Sequence, residues 1–224
     1  MITKKIKAVL FDLDGTLIDT EKYYKLCWPL AFEHFGYKVS EEQFLSLRSL
    51  GRPFILERMQ SWFGQNVECE DIRKYARKLV DEKIGKEGLH LKKGVVDCLK
   101  YLKENNVITS IVTATATERT EKCISAVDIK KYFDYVISAT EVENGKPAPD
   151  VYLYACEKIG VKPEETIAVE DSPNGSMSAI NAKCNVIMVP DLTEPDEGLV
   201  KLLFGKLKTL EEFKMFVIEN GIQF

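Results

Sequence analysis

Five short apolar runs separated by helical patterns are the feature that most restricts how this chain can fold. The first run, residues 6–11, has the composition of a strand buried on both faces. Strands of this kind that alternate with helices predict an α/β protein with a doubly wound, Rossmann-like parallel sheet. The predicted strands are residues 6–11, 107–112, 135–137, 166–169 and 186–189.

A purely helical stretch separates the first predicted strand from the other four. Apolar residues spaced three and four apart form one helix face within residues 24–35, and similar faces follow near residues 55–63 and 72–80. We therefore predict an α/β core domain of residues 1–18 and 89–224, with an all-helical cap domain of residues 19–88 inserted after the first strand. Because open α/β sheets bind ligands at the carboxyl ends of their strands, the cap is expected to cover the binding edge.

The composition restricts the class of protein and its partners. The 224 residues carry a net charge of −4, with 45% hydrophobic and 29% charged side chains. This is typical of a soluble globular protein, and it excludes a disordered chain and argues against a nucleic-acid partner. The apolar stretch near the N-terminus is too short for a signal peptide or a membrane span, so we expect a cytoplasmic protein with no membrane partner. Nothing in the pattern requires an oligomer, and a monomer is expected.

Acidic side chains follow two of the predicted strands. Asp12 and Asp14 come after the first strand, and Glu170 and Asp171 come after the fourth. Paired carboxylates at the end of a buried strand need a cation or a retained proton, which favours a hard divalent metal with oxygen ligands. Only two histidines are present, so acid–base chemistry is expected to fall to the carboxylates. Taken alone, the first acidic pair also fits a strand end with an Asx-type turn.

Two further residues have the chemistry to hold an anion. Thr113 ends the second predicted strand, where a hydroxyl and free backbone N–H groups can bind a phosphate oxygen, although threonine also commonly caps a following helix. Lys146 lies between Gly145 and Pro147, and a second proline at position 149 stiffens the segment further. A lysine held in this way is better suited to aim at an anion than one in a flexible, solvated loop.

Together these residues resemble the four motifs of the haloacid dehalogenase-like (HAD) hydrolase superfamily, and they occur in the matching order. The resemblance rests on Asp12-Leu13-Asp14-Gly15-Thr16, Thr113, Lys146 and Glu170-Asp171. The position of the cap after the first strand resembles the subgroup that contains β-phosphoglucomutases and small-molecule phosphatases. The expected fold is then a HAD-like core with an inserted helical cap.

The resemblance implies a chemical role for each acid. Asp12 would attack phosphorus and form an aspartyl phosphate, and Asp14 would protonate the leaving oxygen and then activate water. Mg²⁺ is the implied cofactor, bound by the side chains of Asp12 and Asp171, the carbonyl of Asp14 and phosphate oxygens, with Glu170 in support.

The resemblance also implies a small phosphorylated metabolite as substrate, with a sugar phosphate as the expected class. Thr113 and Lys146 would neutralise the charge of the transferring phosphoryl group. Glu21 and Tyr24 have structural alternatives, as an acid in the first turn of a helix and as a packed aromatic residue. The residues expected to contact the substrate are Thr16, Glu21, Tyr24, Arg52, Ala114 and Asn174.

The cap distinguishes two activities within this subgroup. The β-phosphoglucomutases carry a histidine in the first cap helix where this chain has Tyr24, and a tyrosine there is usual in related phosphatases. They also place an arginine in a Gly-x-x-Arg segment, whereas Arg52 directly follows Gly51, with Arg48 as a second candidate. We therefore predict a phosphatase, with a β-phosphoglucomutase-type mutase as the alternative. A receiver-like module is disfavoured by the Asp-x-Asp spacing, the helical insert and the Glu170-Asp171 pair. A non-catalytic phosphoryl-binding module is disfavoured because no expected core catalytic residue is missing.

Overall fold

The computed structural model describes residues 5–224, so residues 1–4 of the predicted core lie outside the described residues. The strands are β1 (Ala8–Phe11), β2 (Ile108–Thr113), β3 (Tyr135–Ser138), β4 (Thr166–Glu170), β5 (Asn185–Met188) and β6 (Gly205–Lys206). They form one sheet in the order β3-β2-β1-β4-β5-β6, and all neighbouring pairs are parallel. The predicted α/β fold class is confirmed.

The described residues also form α-helices, which are interspersed with these strands along the chain. They are α1 (Glu21–His34), α2 (Glu41–Ser46), α3 (Phe54–Phe63), α4 (Cys69–Glu87), α5 (Val95–Glu104), α6 (Thr117–Ala126), α7 (Asp150–Ile159), α8 (Pro173–Asn181), α9 (Glu197–Val200) and α10 (Phe213–Glu219). Within residues 5–224, no helix has the length and apolar character needed to cross a bilayer.

The central strand β1 shows why residues 8–11 are apolar at every position. Val9 and Phe11 belong to the apolar cluster that includes residues of α5 and α10, whereas Ala8 and Leu10 belong to the cluster that includes residues of α7 and α8. All four side chains are fully buried. Since successive side chains of a strand point to opposite faces, a strand covered by helices on both sides needs apolar residues at each position.

The first four helices lie between β1 and α5 in the sequence, and we call residues 21–87 the helical insert. Its apolar side chains form clusters of their own, separate from the two clusters that cover the sheet. Phe32 of α1, Met59 of α3 and Ile72 of α4 are central members of the larger cluster. This separate packing agrees with an all-helical unit, while the boundaries at residues 18/19 and 88/89 remain predictions.

The five predicted strands are present within two residues of their expected bounds, but the sheet has a sixth. Strand β6 has only two residues, Gly205 and Lys206, and neither is apolar enough to mark a strand in the sequence. It pairs with the end of β5 at the edge of the sheet, on the side away from β3. The missed strand therefore leaves unchanged the carboxyl ends of β1 and β4, where the acidic residues lie.

Candidate active site

Three acidic side chains meet at the carboxyl edge of the sheet. Strands β1 and β4 are neighbours, with Phe11 paired to Val169. The next residues, Asp12 and Glu170, therefore lie side by side at the carboxyl ends of the two strands, and Asp171 follows Glu170. One carboxylate oxygen from each of the three residues lies within 4.8 Å of the others, and all three residues are buried. The register of the parallel strands is therefore what gathers the two acidic motifs.

Lys146 supplies the positive charge beneath these acids. Its Nζ donates hydrogen bonds to Asp12 Oδ1 at 2.6 Å, to Glu170 Oε1 at 2.7 Å and to the Val112 carbonyl at 3.0 Å. The three donors of the ammonium group are thus all used, and the side chain is completely buried. Lys146 is thus fixed in the interior of the site, with its ammonium group in contact with two carboxylates.

Burial and the charge of the partner residue shift the pKa values of Asp12 and Lys146 in opposite directions. Burial raises the pKa of Asp12 to about 8, and the neighbouring Glu170 adds to the rise, whereas Lys146 lowers it. Burial by itself would lower the pKa of Lys146, but the charges of Asp12 and Glu170 raise it above its ordinary value. A further cation beside Asp12 would favour the ionised carboxylate that a nucleophile requires.

Asp14 is held by two threonine hydroxyls. Thr20 Oγ1 donates to Asp14 Oδ1 at 2.6 Å, and Thr115 Oγ1 donates to Asp14 Oδ2 at 2.8 Å. Thr113 lies next to this pair, buried, with its Oγ1 accepting a hydrogen bond from the Thr115 N–H at 3.1 Å. The carboxyl group of Asp14 is therefore oriented by contacts to both of its oxygens, half-exposed beside the buried Asp12.

The chain turns away from β1 at Gly15, which has a φ of +83°. A Cβ at this position would overlap the carboxylate of Asp171 and the side chain of Glu21. Glycine is needed both for the left-handed backbone and for the close approach of the two acidic segments.

The helical insert reaches the acidic cluster through Arg48, which lies between α2 and α3. Arg48 Nε donates to Glu21 Oε2 at 2.8 Å, Nη1 donates to Thr193 Oγ1 at 3.1 Å, and Nη2 bonds Asp171 Oδ2. Its side chain is only 2% exposed. Burial raises the pKa of Glu21 to about 7, although Arg48 acts to lower it. A cation from the insert thus neutralises part of the acidic cluster in the core.

Asn174, at the start of α8, holds the segment that carries Arg48. Its Nδ2 donates to the Arg48 carbonyl at 2.8 Å and to the Ser46 carbonyl at 3.1 Å. Asn174 therefore connects the core to the insert, and its predicted contact with the substrate remains a prediction.

The site still has an excess of negative charge, which fits the implied metal. Glu170 Oε2 and Asp171 Oδ1 are buried and have no hydrogen-bond partner among the described residues. Lys146 and Arg48 supply two positive charges against the buried acids, which are Asp12, Glu21, Glu170 and Asp171. Oxygen donors in a site with unmet negative charge suit a hard divalent cation such as Mg²⁺.

A cavity of about 110 Å³ opens over Asp12 and Asp14. Strand β2 and the loop after it contribute Thr113, Ala114 and Thr115 to its wall. The helical insert supplies the rest of the wall, including Glu21, Tyr24, Trp28, Arg48, Arg73 and Arg77. The cavity is therefore lined by residues of both the α/β core and the helical insert.

The structure places the predicted substrate residues in different surroundings. Glu21, Tyr24 and Ala114 line this cavity, and Thr16 is buried outside its lining. Arg52 lies on the surface, with its side chain 65% exposed and paired with Glu70. The arginine that enters the cavity from this segment is Arg48, which the sequence offered only as the second candidate.

Three residues of the site were missed in the sequence. Thr20 and Thr115 bond Asp14, and the Tyr152 hydroxyl donates to Glu170 Oε1 at 2.5 Å. Tyr152 occupies an apolar position of α7, where the pattern indicates only packing. Thr115 lies just after the end of β2. A threonine in this position is only a weak sign of a functional role, and its contact with Asp14 became visible only with the fold.

Comparison with known proteins identifies the family. A family model described as haloacid dehalogenase-like hydrolase matches residues 9–189, a range that contains all four motifs. The chain belongs to the haloacid dehalogenase-like hydrolases. The family expected from the motifs is confirmed.

Curated relatives of this haloacid dehalogenase-like hydrolase are named as phosphatases. One from Thermotoga maritima, named phosphorylated carbohydrates phosphatase, is 27% identical over 79% of this chain and 82% of its own. The phosphoglycolate phosphatase of Escherichia coli strain K12 is 29% identical over 85% of this chain and 87% of its own. These matches support an enzyme of the phosphatase type over a non-catalytic module.

A solved structure confirms the fold of the family. The β-phosphoglucomutase of Clostridium difficile superposes with a TM-score of 0.78 at 22% identity, covering 96% of each chain. At this identity the likeness concerns the arrangement of the sheet and helices and carries no activity.

Proposed function

We propose that this hydrolase is a Mg²⁺-dependent phosphatase that releases phosphate from a small phosphorylated metabolite, with a sugar phosphate as the expected class, through a phosphorylated Asp12. The observation that carries the proposal is the contact of Asp12 with Lys146 inside a cluster of three buried acids. The name of the Thermotoga maritima relative supports a phosphorylated carbohydrate as substrate. The predicted cytoplasmic location and monomeric state belong to the same proposal.

Asp12 acts in the first step of the proposed reaction. Its carboxylate attacks phosphorus, the bond between phosphorus and the alcohol oxygen breaks, and Asp14 gives its proton to that oxygen. Thr20 and Thr115 orient the Asp14 carboxyl group through its two oxygens. These two contacts fix the direction from which the carboxyl group can approach a leaving oxygen.

Asp14 also serves the second step, since it is ionised once the alcohol has left. It takes a proton from a water molecule, and the resulting hydroxide attacks phosphorus and releases inorganic phosphate from Asp12. Lys146 stays bonded to Asp12 Oδ1 and limits the build-up of negative charge during both steps. The buried Thr113 lies beside Asp14 and completes the wall for the phosphoryl group.

Mg²⁺ held by Asp12, Asp171 and the Asp14 carbonyl would neutralise charge on the phosphoryl oxygens. Glu170 supports this site through its bond to Lys146. The unpartnered oxygens of Glu170 and Asp171 support a cation at this point.

Tyr24 supports hydrolysis over the mutase alternative. It lines the cavity over Asp14 in the place of the histidine that the β-phosphoglucomutases carry, and its hydroxyl is not a proton carrier near neutral pH, because burial raises the pKa of Tyr24.

Phosphate release from a panel of phosphorylated sugars and metabolites tests the proposal. We expect Mg²⁺-dependent release by the native protein and none by Asp12→Asn, with the exposed Asp97→Asn as a matched control of unchanged activity. Release that persists in Asp12→Asn would contradict the mechanism. Bisphosphate-dependent isomerisation of a hexose 1-phosphate with little net release would contradict hydrolysis and favour the mutase.

A further inference from the structure

Two arginines of the helical insert face the reaction cavity from one helix. Arg73 and Arg77 are four residues apart on α4, so their side chains lie one above the other on the same helix face. Both line the cavity over Asp12 and Asp14. Neither has a role in the phosphoryl-transfer steps described above.

Arg77 differs from the other arginines around the cavity because, among residues 5–224, its guanidinium has no hydrogen-bond or ion-pair partner. Arg48 bonds Glu21 and Asp171, and Arg73 Nη1 donates to Glu70 Oε1 at 2.9 Å. Arg77 is exposed, and no residue within the described range 5–224 forms an ion pair or a hydrogen bond with its guanidinium. Its five donors are therefore available to a ligand.

A second cavity of about 350 Å³ continues from the first on the side of these arginines. Arg73, Arg77 and Ala114 line both cavities, so the two are contiguous. The charged residues that line the second cavity are Arg52, Arg73, Arg77, Glu70 and Glu143, an excess of one positive charge. Glu70 is already shared by Arg52 and Arg73.

The acids that line the first cavity already have protein partners. Asp12 is bonded to Lys146, Asp14 to two threonines, and Glu21 to Arg48. Each of these acids thus already has a partner, whereas the Arg77 guanidinium, which lines both cavities, has none among residues 5–224.

The alcohol part of the substrate has to be accommodated in the cavity that Arg77 lines. Asp14 protonates the leaving oxygen, so the alcohol part of the substrate lies on the Asp14 side of the phosphorus. Tyr24, Arg73 and Arg77 line the same cavity as Asp14. An alcohol that occupies this cavity beside Asp14 is therefore in the space that Arg77 also lines.

We infer that the alcohol part of the substrate carries a second anionic group, a carboxylate or a second phosphate, and that Arg77 binds it with support from Arg73. The inference rests on the proposed phosphatase function and names the substrate class for that site. An arginine suits either anion because its planar donors match carboxylate and phosphate oxygens in pairs.

Matched substrate pairs test this inference. The pairs are 2-phosphoglycolate against 2-hydroxyethyl phosphate, and glucose 1,6-bisphosphate against glucose 1-phosphate, with p-nitrophenyl phosphate as a generic substrate. For at least one pair we expect kcat/KM of the native protein to be about tenfold or more higher for the member with the second anion, and to fall with added salt. The pair that shows the preference distinguishes a carboxylate from a phosphate.

Arg77→Gln should abolish that preference by raising KM for the doubly anionic substrate about tenfold, with a much smaller change in kcat/KM for p-nitrophenyl phosphate. Arg77→Lys should retain part of it, and Arg58→Gln, an exposed arginine of α3, is the matched control with the full preference. Equal kcat/KM within both pairs, or a preference that survives in Arg77→Gln, would overturn the inference and leave the phosphatase intact. Absence of p-nitrophenyl phosphate hydrolysis in the native protein would contradict the proposed function and the inference together.

Discussion

At the scale of single residues, Lys146 controls whether two buried acids can lie side by side. Its ammonium group is completely buried and bonds both Asp12 and Glu170. Without it, two carboxylates would face each other in a region of low dielectric constant, where like charges repel strongly.

Lys146→Met should therefore lose both stability and activity. We expect the free energy of unfolding to fall by about 3–5 kcal/mol because buried carboxylates lose their partner, and kcat to fall by about 10²-fold or more because a fixed charge at phosphorus is removed. Urea denaturation and phosphate release measure the two effects. Lys201→Met, an exposed lysine, is the control and should change neither. A Lys146→Met protein with native activity would contradict the role of this lysine.

The sequence revealed the residues whose position follows from strand ends. Asp12, Thr113 and Glu170 were predicted because apolar runs end at or beside them, and the parallel register then brings these ends together. Thr20 and Thr115 were missed because their bonds to Asp14 join separate loops, and no spacing along the chain encodes that contact.

At the scale of elements, the helical insert completes the site and contacts the loop that carries Lys146. The Gly51 N–H donates to the Lys146 carbonyl at 2.8 Å, and the Gly145 N–H donates to the Arg52 carbonyl at 2.6 Å. A Cβ on either glycine would meet the backbone of the other. The insert therefore contacts the core by backbone pairing, which positions the segment that carries Arg48.

Arg48→Met tests how the insert and the metal site interact. The guanidinium bonds Asp171, a proposed Mg²⁺ ligand, so its removal should tighten Mg²⁺ binding about tenfold while lowering the metal-free stability by about 3–5 kcal/mol. Isothermal titration calorimetry with Mg²⁺ and thermal unfolding in EDTA measure the two quantities. Arg58→Met should behave like the native protein. Weaker Mg²⁺ binding in Arg48→Met would show that Arg48 supports the metal site and does not compete with the cation.

The elements were predicted more completely than the contacts between them. The alternation of apolar runs and helices was enough for five strands and an inserted helical unit. The two-residue strand β6 has no apolar signal of its own, and the side of the insert that faces the core depends on tertiary contacts such as those of Gly51.

At the scale of the whole molecule, the excess of buried acids should make folding stability depend on Mg²⁺. A ligand that binds only the folded state stabilises it by about 2.7 kcal/mol at a hundred times its Kd, which corresponds to a rise in Tm of about 5–10 °C for a chain of this size. Differential scanning calorimetry in Mg²⁺ and in EDTA, at matched ionic strength, measures the rise. Asp171→Asn should reduce it strongly. Equal Tm values in Mg²⁺ and EDTA would contradict a metal site in the acidic cluster.

The central claim is that Asp12 becomes phosphorylated during turnover, and trapping that intermediate tests it most directly. A reaction with radiolabelled phosphate ester, quenched in acid within one turnover and digested, should give a labelled peptide that contains Asp12 and loses its label in mild base or hydroxylamine, as an acyl phosphate does. Asp12→Asn, treated identically, should give no label. Label on a different residue, or turnover with no covalent label at any quench time, would contradict the account.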